Sequence, residues 1–91
     1  MSVISTTSNT VSVNIPVGQL PQEVAVSRDG KYVYVTNTTD GTVSVISTET
    51  NTTVGAPIPV GSGPVGVVVS PNGQYVYVAN SNSNTISVIK V

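Results

Sequence analysis

A six-residue stretch occurs twice in this chain with almost no change. Tyr32-Val33-Tyr34-Val35-Thr36-Asn37 returns 43 residues later as Tyr75-Val76-Tyr77-Val78-Ala79-Asn80. The flanking sequence repeats as well, as in Ser44-Val45-Ile46 and Ser87-Val88-Ile89. This repeat is the most restrictive feature of the sequence, because each copy must form the same structural unit. Periods of about 40 to 45 residues are typical of four-stranded propeller blades.

A shorter copy of the repeat stands at the start of the chain. Ser2-Val3-Ile4-Ser5-Thr6 matches Ser44-Val45-Ile46-Ser47-Thr48, offset by 42 residues rather than 43. The 91 residues therefore hold about two and a quarter repeats and begin inside one of them. A single repeat of this kind cannot bury its apolar face alone, so neighbouring repeats are expected to stack.

The residue usage and the turn signals favour strands throughout. Val, Thr, Ser and Asn are abundant, which is typical of strands joined by turns rather than of helices. Asp29-Gly30 and Asn72-Gly73 stand between apolar runs and predict hairpins, because glycine adopts positive φ at no steric cost. We expect nine strands, over about residues 2–6, 10–16, 23–27, 32–37, 42–47, 53–59, 65–70, 75–80 and 85–90.

The polarity of the strands changes along each repeat. The first strand, Val24-Ala25-Val26 or Val67-Val68-Val69, is apolar on both faces, as expected of a strand buried between neighbours. The fourth strand is half polar and contains Pro57 and Pro59, and proline in a strand indicates a sheet edge. This gradient favours a propeller blade over a simple β-sandwich, whose strands mostly alternate evenly.

Several of these segments together resemble the YVTN-family β-propeller repeat. They are Tyr-Val-Tyr-Val-Thr-Asn at 32–37, Gly-Thr-Val-Ser-Val-Ile at 41–46, and Pro59-Val60-Gly61 followed by Pro64. That family is best known from archaeal surface-layer proteins and related bacterial cell-surface proteins, usually with seven blades. The resemblance implies an extracellular or cell-surface parent, although Met1-Ser2-Val3-Ile4 lacks the basic region and apolar core of a signal peptide.

We therefore expect an all-β fold of propeller type, with blades of four antiparallel strands, in one module over residues 1–91. Its parts are N-terminal strands that complete a neighbouring blade, a full blade, and three strands of a second blade, over residues 1–16, 17–59 and 60–91. Strand 10–16 is expected to pair with strand 85–90 of another copy, which leaves segment 2–6 displaced or disordered.

The expected partner is the chain itself. A two-blade unit leaves an apolar sheet face bare at each end, and a head-to-tail contact must close into a ring or continue as a filament. Four chains with eight blades are favoured, because the valines of the first strand resist a tighter ring. Three chains with six blades are the alternative, since Ala25 and Gly66 allow close approach at the axis.

The composition argues against several function classes. Three basic and four acidic residues give a net charge of −1, which provides no electrostatic footprint for nucleic acid or an anionic membrane. The sequence has no run of about 18 apolar residues, so no membrane insertion is expected. The chain has no histidine and no cysteine, which excludes nucleophilic catalysis and metal sites that depend on them. We expect no enzyme activity and no cofactor.

The four carboxylates are the remaining candidate ligands. Asp29 and Asp40 lie in predicted turns, where Asp forms local hydrogen bonds, and Glu49 lies in a polar hairpin. Glu23 begins an inner strand, so in a closed ring its copies would circle the channel mouth, where carboxylates can hold a cation. A solvated charge at the rim is the favoured alternative, because the second repeat has Gly66 at this position.

The predicted function is structural: a self-assembling scaffold of the surface-layer repeat type. The alternative is a module that binds a ligand or a protein through the loops on one face of the propeller. Its candidate contacts are Gln19, Leu20, Gln22, Glu23, Asp40 and Asn82. Asn37-Thr38-Thr39 and Asn51-Thr52-Thr53 also match the glycosylation acceptor pattern, which arises easily in a chain rich in Asn and Thr.

Overall fold

The chain folds entirely into antiparallel β-sheet, which confirms the predicted fold class. The computed structural model describes residues 1–91. The strands are β1 (Ser2–Ser5), β2 (Thr10–Asn14), β3 (Pro21–Val26), β4 (Tyr32–Asn37), β5 (Thr42–Ser47), β6 (Thr52–Thr53), β7 (Ile58–Pro59), β8 (Pro64–Val69), β9 (Tyr75–Asn80) and β10 (Thr85–Lys90). The structure has no helix with the length and apolar character needed to cross a membrane.

The strands form three sheets that follow the repeat. The sheet β3-β4-β5-β6, in which β7 also pairs with β5, is called the middle blade. The sheet β8-β9-β10 is called the last blade, and β1-β2 is called the N-terminal hairpin. The predicted single strand over 53–59 is wrong, because it is divided into β6 and β7. Gly55 between them has φ of 66°, which takes the backbone out of the extended conformation.

The N-terminal hairpin is a regular two-stranded unit. β1 pairs with β2 through Ser2↔Asn14 and Val3↔Val13, with a register shift after Val3. The Met1 ammonium donates a hydrogen bond of 2.9 Å to the carbonyl of Ile15 and extends the pairing by one residue. Segment 2–6 is therefore ordered and paired in the single chain, and its displacement by a second copy stays a prediction. Pairing of strand 10–16 with another copy stays a prediction.

The three sheets stack face to face through two apolar clusters. The cluster between the middle and last blades contains Tyr34, Val43, Val67, Val76 and Val78. The cluster between the N-terminal hairpin and the middle blade contains Ile15, Val33, Val35 and Ile46. Side chains alternate along β4, so its valines face one neighbour and Tyr34 faces the other. The middle blade consequently contacts a neighbouring sheet on each of its two faces.

The innermost strand departs from the prediction. Val24 and Val26 of β3 are exposed, whereas Ala25 between them packs against the cluster shared with the last blade. The expectation that this strand is buried on both faces is wrong for β3. The reason is that the N-terminal hairpin contributes only two strands, which cover the outer part of the middle blade.

Candidate functional site

The predicted binding loops lie at one end of the blades, which is called the loop face. Each blade joins its incoming loop to its second turn by backbone hydrogen bonds. In the middle blade Thr38 N donates to the carbonyl of Leu20 at 3.0 Å, and Thr39 N donates to that of Gln19 at 3.3 Å. In the last blade Ser81 N donates to Gly63 O at 2.9 Å. The loop face is thus a set of hydrogen-bonded loops rather than free tips.

Asp40, a predicted contact, has a structural role in this arrangement. Its Oδ2 accepts a hydrogen bond of 3.0 Å from the backbone N–H of Gln19. In the last blade Ser83 Oγ accepts the equivalent bond from Ser62 N at 3.2 Å. A neutral hydroxyl therefore accepts the equivalent hydrogen bond in the next repeat. This indicates that the carboxylate of Asp40 stabilises the loop and is not required for its charge.

A polar cleft lies on the loop face between the middle and last blades. It has a volume of about 530 Å³. Its lining is Thr38, Thr39, Asp40, Gly41, Val60, Gly61, Ser62, Gly63 and Asn82. The structure thus brings together two of the predicted contacts, Asp40 and Asn82. Gly63 has φ of 64°, and a Cβ there would lie 2.7 Å from Asn82 Nδ2, so the shape of the cleft depends on this glycine.

The other four predicted contacts do not line the cleft. Gln22 and Glu23 border a smaller cavity of about 210 Å³ at the inner end of β3, beside Met1 and Val24. Gln22 accepts a hydrogen bond of 3.4 Å from the Thr38 hydroxyl, and the Glu23 backbone N–H donates to Thr36 Oγ1 at 3.1 Å.

The surroundings of Leu20 and Glu23 do not form a binding site. Leu20 is exposed and has φ of 55°, in the left-handed region that its counterpart Gly63 adopts without strain. No group of three or more His, Cys, Asp or Glu side chains lies together in the structure. A Cβ on Gly66, the counterpart of Glu23, would meet open space. The six predicted contacts therefore do not form a single site.

The Asn that ends each repeated stretch makes three side-chain hydrogen bonds and was not among the predicted site residues. Asn37 Oδ1 accepts from Gly18 N at 3.1 Å, and its Nδ2 donates to Ser44 Oγ at 2.9 Å. Asn80 repeats this with Gly61 N and Ser87 Oγ at the same two distances. Matching Gly, Asn and Ser positions in both repeats were the available signal. Since Asn37 is fully buried and bonded, it cannot accept a glycan.

The hairpin turns at the opposite end of the blades use a second repeated motif. Asp29 Oδ1 accepts from Lys31 N at 3.0 Å and from Ser27 Oγ at 2.7 Å, and these bonds hold the pKa of the Asp29 carboxyl below its usual range. Asn72 Oδ1 accepts the same two bonds from Gln74 N and Ser70 Oγ. The turn therefore needs an acceptor oxygen and not a charge.

Comparison with known proteins agrees with the blade architecture. A family model described as "Lactonase, 7-bladed beta-propeller" matches residues 1–91. Among solved structures, the chain is similar to "Kuenenia stuttgartiensis Hydrazine Synthase" with 31% sequence identity and a TM-score of 0.90. That similarity covers 97% of this chain and 25% of the other, so the chain spans about a quarter of the protein it matches. No curated protein matches the chain.

Proposed function

Because this chain belongs to the lactonase family of seven-bladed β-propellers, we propose that it is a structural blade module that assembles with copies of itself. The proposal includes the surface-layer YVTN-repeat type suggested by the sequence, and a cell-surface location for the assembly. Four chains forming eight blades are the favoured ring, and three chains forming six are the alternative.

One observation carries this proposal: the polar side chains that the repeat retains form hydrogen bonds within the blade. Asn37 and Asn80 tie each incoming loop to its sheet, and Asp29 and Asn72 close the first hairpin of each blade. A chain whose repeated polar groups are satisfied internally is well suited to be a rigid unit of a larger assembly.

The exposed apolar residues support self-association. Val24 and Val26 are exposed on the side of the middle blade that faces the N-terminal hairpin. A larger exposed set lies on the free side of the last blade and comprises Val68, Tyr77, Ile86 and Val88. Contiguous apolar patches on a soluble protein usually mark an interaction surface. The two surfaces lie on opposite sides of the stack, so a contact between them is head-to-tail.

We propose that the chain alone has no catalytic activity, whatever reaction its family name describes. Asp29 and Asp40 bind backbone N–H groups, and Glu23 and Glu49 are exposed and make no side-chain hydrogen bond. A panel of lactones and simple esters tests this part. We expect hydrolysis at the rate of buffer alone, and a rate that scales with protein concentration would contradict it.

A second candidate function rests on the polar cleft between the blades. Threonine and serine hydroxyls, Asp40 and Asn82 converge there on a volume of about 530 Å³, which suits a small hydroxylated ligand such as a sugar. Titration of mono- and disaccharides, followed by chemical shifts of the Asn82 amide, tests it. Gly63→Ala is the matched variant, because its Cβ would displace Asn82 and narrow the cleft.

Light scattering over a range of concentrations tests the main proposal. The self-assembling module is expected to show a mass several times the 9.3 kDa of one chain. A mass of one chain at all concentrations would leave the exposed apolar faces without a partner and would contradict the proposal.

A further inference from the structure

The contact between the middle and last blades shows how one blade covers the next. The side of a blade that faces the following blade is called its C-side face. In the middle blade this face consists of Ala25, Tyr34, Val43 and Val45, all packed against the last blade. The residues 43 positions later are Val68, Tyr77, Ile86 and Val88. Tyr34 is 3% exposed and Tyr77 is 38%, while Val43 is 0% exposed and Ile86 is 62%.

The side that faces the preceding blade is called the N-side face. In the last blade it consists of Val67, Val69, Val76 and Val78, which pack against the middle blade. Its counterparts on the middle blade are Val24, Val26, Val33 and Val35. Val33 and Val35 are buried, whereas Val24 and Val26 are exposed. The N-side face of the middle blade is therefore only half covered.

Part of the cover on that half is supplied by β1, which has the repeat positions of β10, and the rest by Val13, Ile15 and Val17. Met1 and Val3 pack against the cluster of Val33, Val35 and Ile46. By the repeat, Met1 corresponds to Val43 and Ile86, and Val3 corresponds to Val45 and Val88. Met1 and Val3 of β1 are thus packed against a neighbouring blade. Ile86 and Val88 of β10, at the same repeat positions, are exposed.

We infer that the last blade of one copy docks on the N-side face of a second copy, with β10 replacing β1 as the partner of β2. This inference rests on the proposed self-association. Ile86 and Val88 then contact Val33 and Val35 in place of Met1 and Val3. In the same complex Val68 and Tyr77 cover Val24 and Val26, and β2 becomes the outer strand of the last blade.

A second copy is the occupant favoured by continuity with the contact inside the chain. Val67, Val76 and Val78 already cover Tyr34 and Val43, and the docked copies would repeat this packing one blade further along. The edge of β10 is free, since it pairs only with β9. In the middle blade the equivalent edge of β5 is paired with β6 and β7.

The exchange replaces one antiparallel pairing with another and adds apolar contact. β1 and β2 share four paired positions, interrupted by a register shift, and these are lost when β1 leaves. Pairing of β2 with the regular strand β10 would restore a comparable number of paired positions. The gain is the burial of Val24, Val26, Val68 and Tyr77, which are exposed in the single chain. Exchange of an identical element between copies is a common route to oligomers.

A reversible cross-link between β1 and β2 tests this inference on the full chain. Ser2 and Asn14 are paired across the hairpin, with Ser2 Oγ 2.7 Å from Asn14 Oδ1 and both side chains exposed. Since the chain has no cysteine, Ser2→Cys/Asn14→Cys creates one disulfide that holds β1 in place. We expect the oxidised variant to remain a single chain in light scattering and to assemble after reduction.

The outcomes distinguish a failure of the strand exchange from a failure of the proposed self-association. If the oxidised variant assembles as well as the reduced one, β1 need not leave, and the strand exchange is wrong while self-association stands. If the unmodified chain and both forms of the variant all remain single chains, self-association fails and the exchange fails with it.

A pair of isoleucine variants provides a second measurement that does not depend on the disulfide. Ile86 and Ile4 are 62% and 60% exposed, and only Ile86 belongs to the proposed contact. We expect Ile86→Asp to weaken association at least about tenfold, because it places a charge in an apolar contact, and Ile4→Asp to leave it within about twofold. Equal weakening by both variants, or none from Ile86→Asp, would overturn the inference.

Discussion

The side-chain amide of Asn80 fills the space that a side chain on Gly61 would need. A Cβ on Gly61 would lie 2.6 Å from Asn80 Cγ, and Gly61 N donates a hydrogen bond of 3.1 Å to Asn80 Oδ1. Gly18 and Asn37 have the same relationship and the same two distances. The last residue of each repeated stretch therefore fixes the loop that enters its blade, and this contact requires a glycine.

Gly61→Ala tests that requirement. The added methyl group would press on a buried amide that cannot move without losing its hydrogen bonds, so we expect a destabilisation of about 1–3 kcal/mol. Gly66→Ala is the matched control in the same blade, because a Cβ there meets nothing within 4 Å. Chemical denaturation measures both. A similar effect at the two positions would show that the Gly61–Asn80 contact is not the cause.

Asn37→Ala removes the amide and leaves Gly18 N without its acceptor in a partly buried position. We expect a loss of about 1–3 kcal/mol in the free energy of unfolding, the usual cost of an unsatisfied buried donor. Asn51→Gly is the control, since Asn51 is exposed and its φ of 56° suits glycine. A neutral Asn37→Ala in urea denaturation would mean that the loop finds another acceptor.

Asp29 predicts a pH dependence with a defined direction. The bonds from Lys31 N and Ser27 Oγ stabilise the ionised carboxylate and lower its pKa in the folded chain. Its contribution to stability is therefore present above the unfolded pKa of about 3.9 and is lost as pH falls through the lower folded pKa. Asp29→Asn keeps the acceptor, as Asn72 does, and removes the charge.

Thermal melting of the two proteins between acidic and neutral pH checks this dependence. The difference in Tm between Asp29→Asn and the unmodified chain should be constant at neutral pH. It should shift in favour of the variant below about pH 4, because only the unmodified chain then loses an ionised carboxylate. Parallel curves over the whole range would show that Asp29 is not coupled to folding.

Valine substitutions at Gly30 and Gly73 distinguish the cost of backbone strain from the cost of a steric contact between blades. Both were predicted to have positive φ, and the structure confirms this with values of 76° and 75°. Gly73→Val should destabilise by about 1–3 kcal/mol. Gly30→Val should cost less, because a Cβ at Gly73 lies 3.2 Å from Arg28 Cβ whereas one at Gly30 meets nothing. If Gly30→Val lowers the free energy of unfolding as much as Gly73→Val does, the contact with Arg28 does not contribute to the destabilisation.

The sequence predicted the parts of the fold that depend on local pattern. The repeat of Tyr32–Asn37 located the central strands, and Asp29-Gly30 located a hairpin, because periodicity and turn chemistry are written in neighbouring residues. The hydrogen bond from Gly18 to Asn37 joins residues 19 positions apart, and no local sequence pattern predicts it. The two N-terminal strands, predicted over 2–6 and 10–16, were located by the same kind of local pattern.

The candidate site was predicted less well than the fold. Its six residues were chosen as loop positions, and only Asp40 and Asn82 line the same cleft. The bond between Asp40 and Gln19 N depends on how two loops of one blade meet, which is a tertiary feature. Leu20 at positive φ was missed for the same reason, because leucine gives no signal of a left-handed residue.

Native mass spectrometry of the unmodified chain tests the central claim, that blades of this repeat assemble by self-association. It counts the chains directly against the chain mass of 9.3 kDa. The account predicts a closed species of four chains, and a species of three would change only the number of blades. A spectrum that contains single chains alone, under conditions in which the β-sheet is intact, would contradict it.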